Sequence, residues 1–195
     1  INNSHTEDYK ANPEIDSKNI DNDLLKFNKS SNYMIVCADI RAAKVAQKIL
    51  NKGGNAIDAI VAAQGILSIV EPQSSGLGGG GFLLYYNKKD NDLFAWDGRE
   101  TAPSNSNDSM YLIKKQPMSF LDAASNGISV GVPGLFSMLA KVHSIYGDLN
   151  WIDILQPSVS LAEKGFKISP RLFKLLSWVP HLKETSNAKN LFFNK

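Results

Sequence analysis

A run of glycines stands directly before an apolar segment in the middle of the chain. Residues 76–81 are Gly-Leu-Gly-Gly-Gly-Gly, and Phe-Leu-Leu-Tyr-Tyr follows at residues 82–86. Glycine loses more conformational freedom on folding than any other residue, so such a run is costly unless the backbone requires it. The run therefore predicts positive φ angles, or a very close approach of the backbone to another group, where a strand begins.

The run matches neither of the two glycine motifs that bind phosphate groups. The Walker motif needs Gly-Lys-Ser/Thr at the start of a helix, and no lysine follows these glycines. A dinucleotide fingerprint places its glycines after a strand and before a helix, whereas this run precedes a strand. We therefore expect the glycines to let the strand bend and pass close under the preceding helix, without a ligand.

The hydrophobic pattern upstream of the glycines predicts one strand and two helices. Residues 33–38 form a short apolar run that is typical of a buried strand. Asp39 and Asn55 are each a good N-cap for a helix, and Asp58 would complement the dipole in the first turn of the second helix. That second helix is apolar on nearly every face, so we expect it to be buried against a sheet.

A hairpin and three further helices are predicted downstream. Residues 81–86 and 93–97 are short apolar runs that predict two strands, and the polar residues 87–92 between them predict a hairpin turn. Residues 104–127 indicate a surface loop. Helices are expected to begin after Gly134, Asn150 and Ser169. The first of these three carries an apolar stripe made of Leu135, Met138, Leu139, Val142 and Ile145. An antiparallel hairpin beside a long helix pair favours a layered α/β (α+β) fold over a doubly wound parallel sheet.

The composition indicates a globular domain behind a polar arm. Residues 1–32 are rich in Asn, Asp, Ser and Lys and lack periodicity, which predicts a flexible arm before a domain at residues 33–195. The net charge is only +2, and no basic stripe is present, so a nucleic-acid partner is not expected. Cys37 is alone and the three histidines are far apart in the sequence, so neither a disulfide, a metal site nor a cofactor is predicted. No apolar run is long enough to span a membrane.

Arg99 differs from the cations that the chain otherwise uses. Only three of the 21 basic residues are arginines, and Arg99 stands at the exit of a predicted strand, between Gly98 and Glu100. A guanidinium is a planar fork that binds a carboxylate through two parallel hydrogen bonds. The residues alone leave two interpretations open, which are an ion pair with a neighbouring acid such as Asp97 or Glu100, and a contact with a carboxylate ligand.

Several motifs, in the same order along the chain, resemble the N-terminal part of the gamma-glutamyltranspeptidase family. They are Lys-Gly-Gly-Asn-Ala-Ile-Asp-Ala at 52–59, the glycine run with its flanks at 71–82, Asp-Gly-Arg-Glu-Thr-Ala-Pro at 97–103 and Gly-Val-Pro-Gly at 131–134. A further segment at 155–166 resembles the family as well. The likeness covers about residues 33–178, and the ordered set is far more specific than any single motif.

The resemblance implies an N-terminal nucleophile hydrolase with αββα layers that cleaves itself into a large and a small subunit. The new N-terminal threonine of the small subunit would attack the γ-glutamyl amide of glutathione, and the glutamyl group would pass to water or to an amino acid. By the same resemblance, Arg99 binds the α-carboxylate of the γ-glutamyl group and the glycines are scaffold. The implied partners are glutathione or other γ-glutamyl compounds, the remainder of the large subunit and the small subunit.

The nucleophile that the resemblance implies is not in this sequence. The family's threonine lies in a Thr-Thr-His type motif, and Thr6, Thr101 and Thr185 do not occur in such a context. No catalytic residue is therefore predicted here, and the chain alone is expected to be inactive, because an activated threonine uses its own free amine as base.

Two other interpretations stay open at this point. The chain could belong to a related amide hydrolase of the same fold, such as an acylase of the cephalosporin type, or be a non-catalytic remnant or interaction fragment. Part of an αββα sandwich would leave sheet edges and apolar faces uncovered, so the chain alone is expected to aggregate or to need a partner chain. Bacterial members of the family are usually periplasmic or secreted, which makes this the expected compartment.

Overall fold

The computed structural model describes residues 30–184 and 186–193, which fall into two compact units. The larger unit spans residues 35–167. The smaller unit contains α7 (Pro170–Ser177), a 3-10 turn and α8 (Ser186–Phe192). The predicted arm lies outside the described residues except for residues 30–32, and the assignment of everything after it to one domain stays a prediction.

Helix α1 (Ile40–Asn51) begins at Asp39, as predicted from the sequence. The Asp39 carboxylate accepts a hydrogen bond from the Arg41 backbone N–H, while Nε and Nη2 of Arg41 donate to it at 2.8 and 2.6 Å. Arg41 also donates to the Lys167 carbonyl at 2.9 Å and lies over the Phe166 ring. The ion pair therefore ties the start of α1 to the far end of the unit, and the hydrogen bonds from Arg41 lower the pKa of Asp39.

Helix α2 (Ala56–Val70) supplies much of the apolar core. It begins at the predicted cap Asn55, and the short helix α3 (Pro72–Ser75) follows it. Its buried apolar side chains are Ile57, Ala59, Val61, Ala62, Ala63, Ile66 and Val70. The helix packs chiefly against α1 and α6 (Trp151–Lys164), whereas we expected it to lie against a sheet. Burial on several sides explains why a uniformly apolar helix is stable at this position.

The Asp58 carboxylate is completely buried, and groups from three segments surround it. It accepts hydrogen bonds from the backbone N–H groups of Asn55 at 2.9 Å, Asp148 at 3.2 Å and Leu149 at 3.3 Å. Nε2 of His143 lies 3.1 Å from its Oδ1 atom. A buried carboxylate is tolerated only when such partners replace water, so Asp58 does far more than complement the helix dipole.

Helix α5 (Leu135–Tyr146) confirms the predicted start after Gly134, but one position of its apolar stripe is wrong. Leu135, Met138, Leu139 and Val142 are buried, whereas Ile145 is 48% exposed. His143 is buried in its stead, four residues after Leu139 and therefore on the same helix face. A polar residue was not counted in the stripe, because its partner Asp58 is distant in the sequence.

The predicted hairpin is present as β1 (Gly81–Asn87) and β2 (Asp92–Gly98), paired antiparallel with Gly81 opposite Gly98. Leu83 on its inner face is buried in the core, and the ring of Tyr85 lies 4.9 Å from that of Tyr146 on α5. The outer face is apolar and more than half exposed, and it carries Phe82, Leu84, Tyr86 and Leu93. The strand pair is thus covered by helices on one face only.

Two predictions of local structure are wrong in part. Residues 33–38 form no strand, although Ile35 and Cys37 pack on the core and Val36 points outward. An apolar pattern favours extended backbone, but a strand also needs a second strand to pair with its N–H and C=O groups. No strand pairs with this segment among the described residues.

The region 104–127 is not all loop, since it holds a small hairpin of β3 (Leu112–Ile113) and β4 (Gln116–Pro117) and helix α4 (Phe120–Ala124). Within the described part of the chain, the helices are too short or too polar to cross a membrane.

We predict that Asp39 stabilises the protein through both its cap and its charge. Asp39→Ala removes both and should lower the free energy of unfolding by about 1 kcal/mol at neutral pH. Asp39→Asn retains an oxygen acceptor for the Arg41 N–H but loses the ion pair, so it should cost less. The comparison is made by thermal unfolding of the complete protein at a series of pH values.

The pH dependence separates the two contributions of Asp39. Its pKa is lowered in the folded state, so its contribution is present above the ordinary value of 3.8 and is lost as the pH falls through the folded-state pKa. The difference in melting temperature between the unmodified protein and Asp39→Asn should therefore shrink in acid. A difference that is constant across this pH range would show that the charge contributes nothing.

Candidate functional site

The end of β2 brings Arg99 to the rim of a cavity of about 440 Å³. The segments 99–103 and 128–131 line it, together with Ser106, Met110 and Tyr111 from the intervening loop. The backbone N–H of Thr101 donates to the carbonyl of Val132 at 3.4 Å, and the N–H of Val132 donates to the carbonyl of Thr101 at 2.9 Å. These two hydrogen bonds join the two segments that line the cavity. The part of the wall after Arg99 therefore continues directly from the end of β2.

The guanidinium of Arg99 contacts one acid and is otherwise largely open. Nη1 of Arg99 lies 3.2 Å from Oε2 of Glu100, and the Arg99 side chain is 54% exposed. The backbone N–H of Arg99 donates to the Asp97 carboxylate at 2.9 Å, which fixes the main chain at the strand exit. The ion pair with Glu100, which was one of the two interpretations of Arg99, is present, and the side chain that makes it is still more than half exposed and lines the cavity.

The glycines that flank the hairpin lie against helix α5, which follows them in the chain. A Cβ on Gly81 would lie 3.2 Å from Cδ1 of Leu135, and one on Gly98 would lie 2.8 Å from Cβ of Met138. The prediction that the strand passes close under a helix is confirmed, but its identification as the preceding helix is wrong. Helix α5 can pack this closely on the hairpin because Gly81 and Gly98 carry no side chain where the helix contacts the strands.

Gly134, at the start of α5, approaches other backbone atoms most closely among the glycines that the structure describes. A Cβ there would lie 2.5 Å from the carbonyl oxygen of Gly98 and 2.7 Å from that of Arg99. The N–H groups of Gly134 and Leu135 donate to the carbonyl of Gly79 at 3.3 and 3.2 Å. Backbone contacts therefore join the glycine run, the exit of β2 and the start of α5, beside the side-chain contacts of Leu135 and Met138, and together they set where Arg99 leaves the strand.

The other side chains considered in the sequence do not build a second site. Thr101 lines the cavity, whereas Thr6 and Thr185 lie outside the described residues. His143 is engaged with Asp58. Across residues 30–184 and 186–193, no three His, Cys, Asp or Glu side chains are grouped as they would be around a metal ion. The cavity wall at residues 128–131 was not identified as part of a site, although the Gly-Val-Pro-Gly motif begins at its end.

Comparison with known proteins identifies the family. The family model described as gamma-glutamyltranspeptidase matches residues 42–195, which is most of the chain. The chain belongs to the gamma-glutamyltranspeptidase family. The resemblance carried by the ordered motifs is thereby confirmed, and the chain corresponds to the N-terminal part of the family.

Similar proteins come from several bacteria. The glutathione hydrolase proenzyme of Bacillus subtilis (strain 168) is 36% identical over 160 residues, which are 82% of this chain and 27% of that protein. The gamma-glutamyltranspeptidase of Helicobacter pylori superposes with a TM-score of 0.80 at 29% identity, over 87% of this chain and 49% of the solved chain. The enzyme from Pseudomonas nitroreducens, solved in complex with L-DON, gives a TM-score of 0.77 at 32% identity, over 84% and 49%.

These comparisons confirm the fold class and show how much of its relatives' length the chain covers. The neighbours are gamma-glutamyltranspeptidases, so the α+β fold of the N-terminal nucleophile hydrolase type is confirmed. The chain spans 27% of the length of its Bacillus subtilis relative. The described residues contain one helical layer on one face of a strand pair, which accounts for part of the αββα arrangement.

We predict that Gly134→Ala destabilises the complete protein by about 1–3 kcal/mol, as overpacking of a filled site does. The added methyl group would press on the Gly98 and Arg99 carbonyl oxygens, which are backbone atoms and cannot rotate away. Gly127→Ala is the matched control, because a Cβ at that glycine meets nothing within 4 Å. Urea unfolding measures both variants, and an equal loss in the two would contradict the contact.

Proposed function

We propose that this chain is part of the large subunit of an enzyme that cleaves the γ-glutamyl amide of glutathione and transfers the glutamyl group to water or to an amino acid. Membership of the gamma-glutamyltranspeptidase family supports this activity, as do relatives named glutathione hydrolases. The observation that carries the proposal is the position of Arg99, whose side chain is about half exposed and lines an open cavity.

In this proposal Arg99 binds the α-carboxylate of the γ-glutamyl group. A free α-carboxylate distinguishes a γ-glutamyl amide from an ordinary peptide bond, where that group is itself in amide linkage. A planar fork can donate hydrogen bonds to both carboxylate oxygens at once, so it recognises geometry as well as charge. Glu100 lies 3.2 Å from Nη1 of Arg99, and the Arg99 side chain is still 54% exposed, which supports room for a second carboxylate.

The bond-breaking groups are proposed to come from the rest of the protein. A threonine of the small subunit would attack the γ-carbonyl, the amide C–N bond would break, and the amine would leave as the glutamyl ester forms. Water or the amine of an acceptor amino acid would then attack that ester and free the threonine. The chain described here would bind one end of the substrate, and the enzyme would act in the periplasm or outside the cell.

The first test is to read the coding sequence past residue 195 and to assay the complete protein with a γ-glutamyl nitroanilide. We expect self-cleavage into two subunits followed by release of nitroaniline. The 195-residue chain alone is the control and should give no turnover, because it lacks the threonine. Activity on another amide, with none on the γ-glutamyl donor, would favour the acylase interpretation instead.

We predict that Arg99→Lys in the complete enzyme raises KM for γ-glutamyl donors by about 10-fold to 100-fold, because a hydrogen bond to a charged group contributes about 1.5–3 kcal/mol. Lysine retains the charge but replaces the fork with a single ammonium group. A donor whose α-carboxylate is converted to an amide is the control, and on it the substitution should have little effect. An unchanged KM on the natural donor would leave Arg99 as the partner of Glu100 alone.

A further inference from the structure

The side chain of Glu100 sits against two glycines that are about fifty residues apart in the sequence. A Cβ on Gly80 would overlap the Glu100 carboxylate and would lie 2.8 Å from Cα of Arg99. A Cβ on Gly131 would lie 2.8 Å from Cβ of Glu100. Side-chain atoms of ordinary residues would therefore displace Glu100 at both positions.

Close approach, and not backbone conformation, explains these two glycines. The glycines of positive φ among the described residues are Gly53 and Gly165, so Gly80 and Gly131 adopt backbone angles that other residues reach. Their neighbours differ from them, because a Cβ on Gly78 or on Gly127 would meet nothing within 4 Å. The lack of a side chain is thus required where Glu100 lies, and not throughout the glycine motifs.

The Glu100 carboxylate is held in a position that favours its contact with Arg99. Its Oε2 atom is shielded from solvent and receives no hydrogen bond within the part of the chain that the structure describes. The nearest cation is the Arg99 guanidinium, with Nη1 3.2 Å from Oε2. A shielded carboxylate oxygen is stabilised mainly by the charge that faces it, so the pair restrains both side chains.

We propose that Gly80 and Gly131 form a seat for Glu100, and that the seated carboxylate positions the Arg99 guanidinium for the substrate carboxylate. Glu100 is a positioning residue in this account, because it acts through Arg99. A guanidinium that is already restrained loses less conformational entropy when its ligand binds, so the seat strengthens substrate binding. The inference rests on the proposed function of Arg99.

The kinetic test compares glycines of the seat with glycines beside it in the complete enzyme. Gly80→Ala and Gly131→Ala should raise KM for γ-glutamyl donors by about 10-fold with a much smaller change in kcat, since displacements of about 1 Å have effects of up to 100-fold. Gly78→Ala and Gly127→Ala are the matched controls and should change neither constant. Equal effects in seat and control variants, or none in either, would overturn the proposal.

A second comparison separates positioning from damage to the fold. Glu100→Gln keeps the shape of the side chain and removes its charge, so it should raise KM even if the glycine variants do not fold. Gly80→Ala should also have a smaller effect in a Glu100→Ala background, because the overlapping carboxylate is gone. An unchanged KM in Glu100→Gln, or an identical effect of Gly80→Ala in both backgrounds, would contradict the seat.

A chemical measurement distinguishes failure of this inference from failure of the proposed function. Phenylglyoxal modifies arginine side chains, and peptide mass spectrometry measures the rate at which Arg99 is modified. Arg41 serves as the internal reference, because its hydrogen bonds to Asp39 hold it in place. Arg99 should react several-fold faster in Glu100→Ala and Gly80→Ala than in the unmodified protein, with Arg41 unchanged. This pattern without γ-glutamyl activity supports the seat and refutes the function, whereas activity with an unchanged Arg99 rate refutes the seat.

Discussion

At the contact between the start of α5 and the exit of β2, backbone lies directly against backbone. Gly134 lies against the carbonyl groups of Gly98 and Arg99, and the first N–H groups of the helix bond to Gly79. Main-chain atoms have no rotamers with which to adjust, so the spacing of these three segments is set by van der Waals contact. The direction in which Arg99 leaves the strand depends on that spacing, and the cavity beside it is built from the residues that follow.

The other end of α5 is held by polar side-chain interactions in the interior. Near that end, His143 meets the buried carboxylate of Asp58, which also accepts from the backbone of Asp148 and Leu149. Loss of one partner would remove part of what replaces water around this buried carboxylate, which is unfavourable. The start of the helix is therefore positioned by close backbone contacts and its other end by a hydrogen-bonded buried carboxylate, so that it links the core around α2 to the site at Arg99.

The outer face of the hairpin explains why the chain is expected to need further sequence. Phe82, Leu84, Tyr86 and Leu93 are more than half exposed on one face of a two-stranded sheet, which is an arrangement typical of an interior surface. The chain spans 49% of the solved Helicobacter pylori chain and 27% of the Bacillus subtilis protein. Covering of this face by a partner chain or by further sequence stays a prediction. Aggregation of the isolated chain stays a prediction.

The sequence by itself determined the features whose signals are local. The caps at Asp39, Asn55 and Ser169, and the hairpin, were correctly predicted because each depends on residues a few positions apart. The strand at 33–38 failed, because pairing requires a partner that no local pattern reveals. The ordered motifs also identified the family and singled out Arg99.

Only the tertiary structure decided which groups meet. Asp58 and His143 are 85 residues apart, and Glu100 meets glycines from two distant segments, so neither arrangement could be inferred from spacing. The glycine run looked uniform in the sequence, yet Gly80 is needed for Glu100 while Gly78 faces open space. The sequence shows which positions lack a side chain. Only the neighbours that folding brings to each position determine where that lack is required.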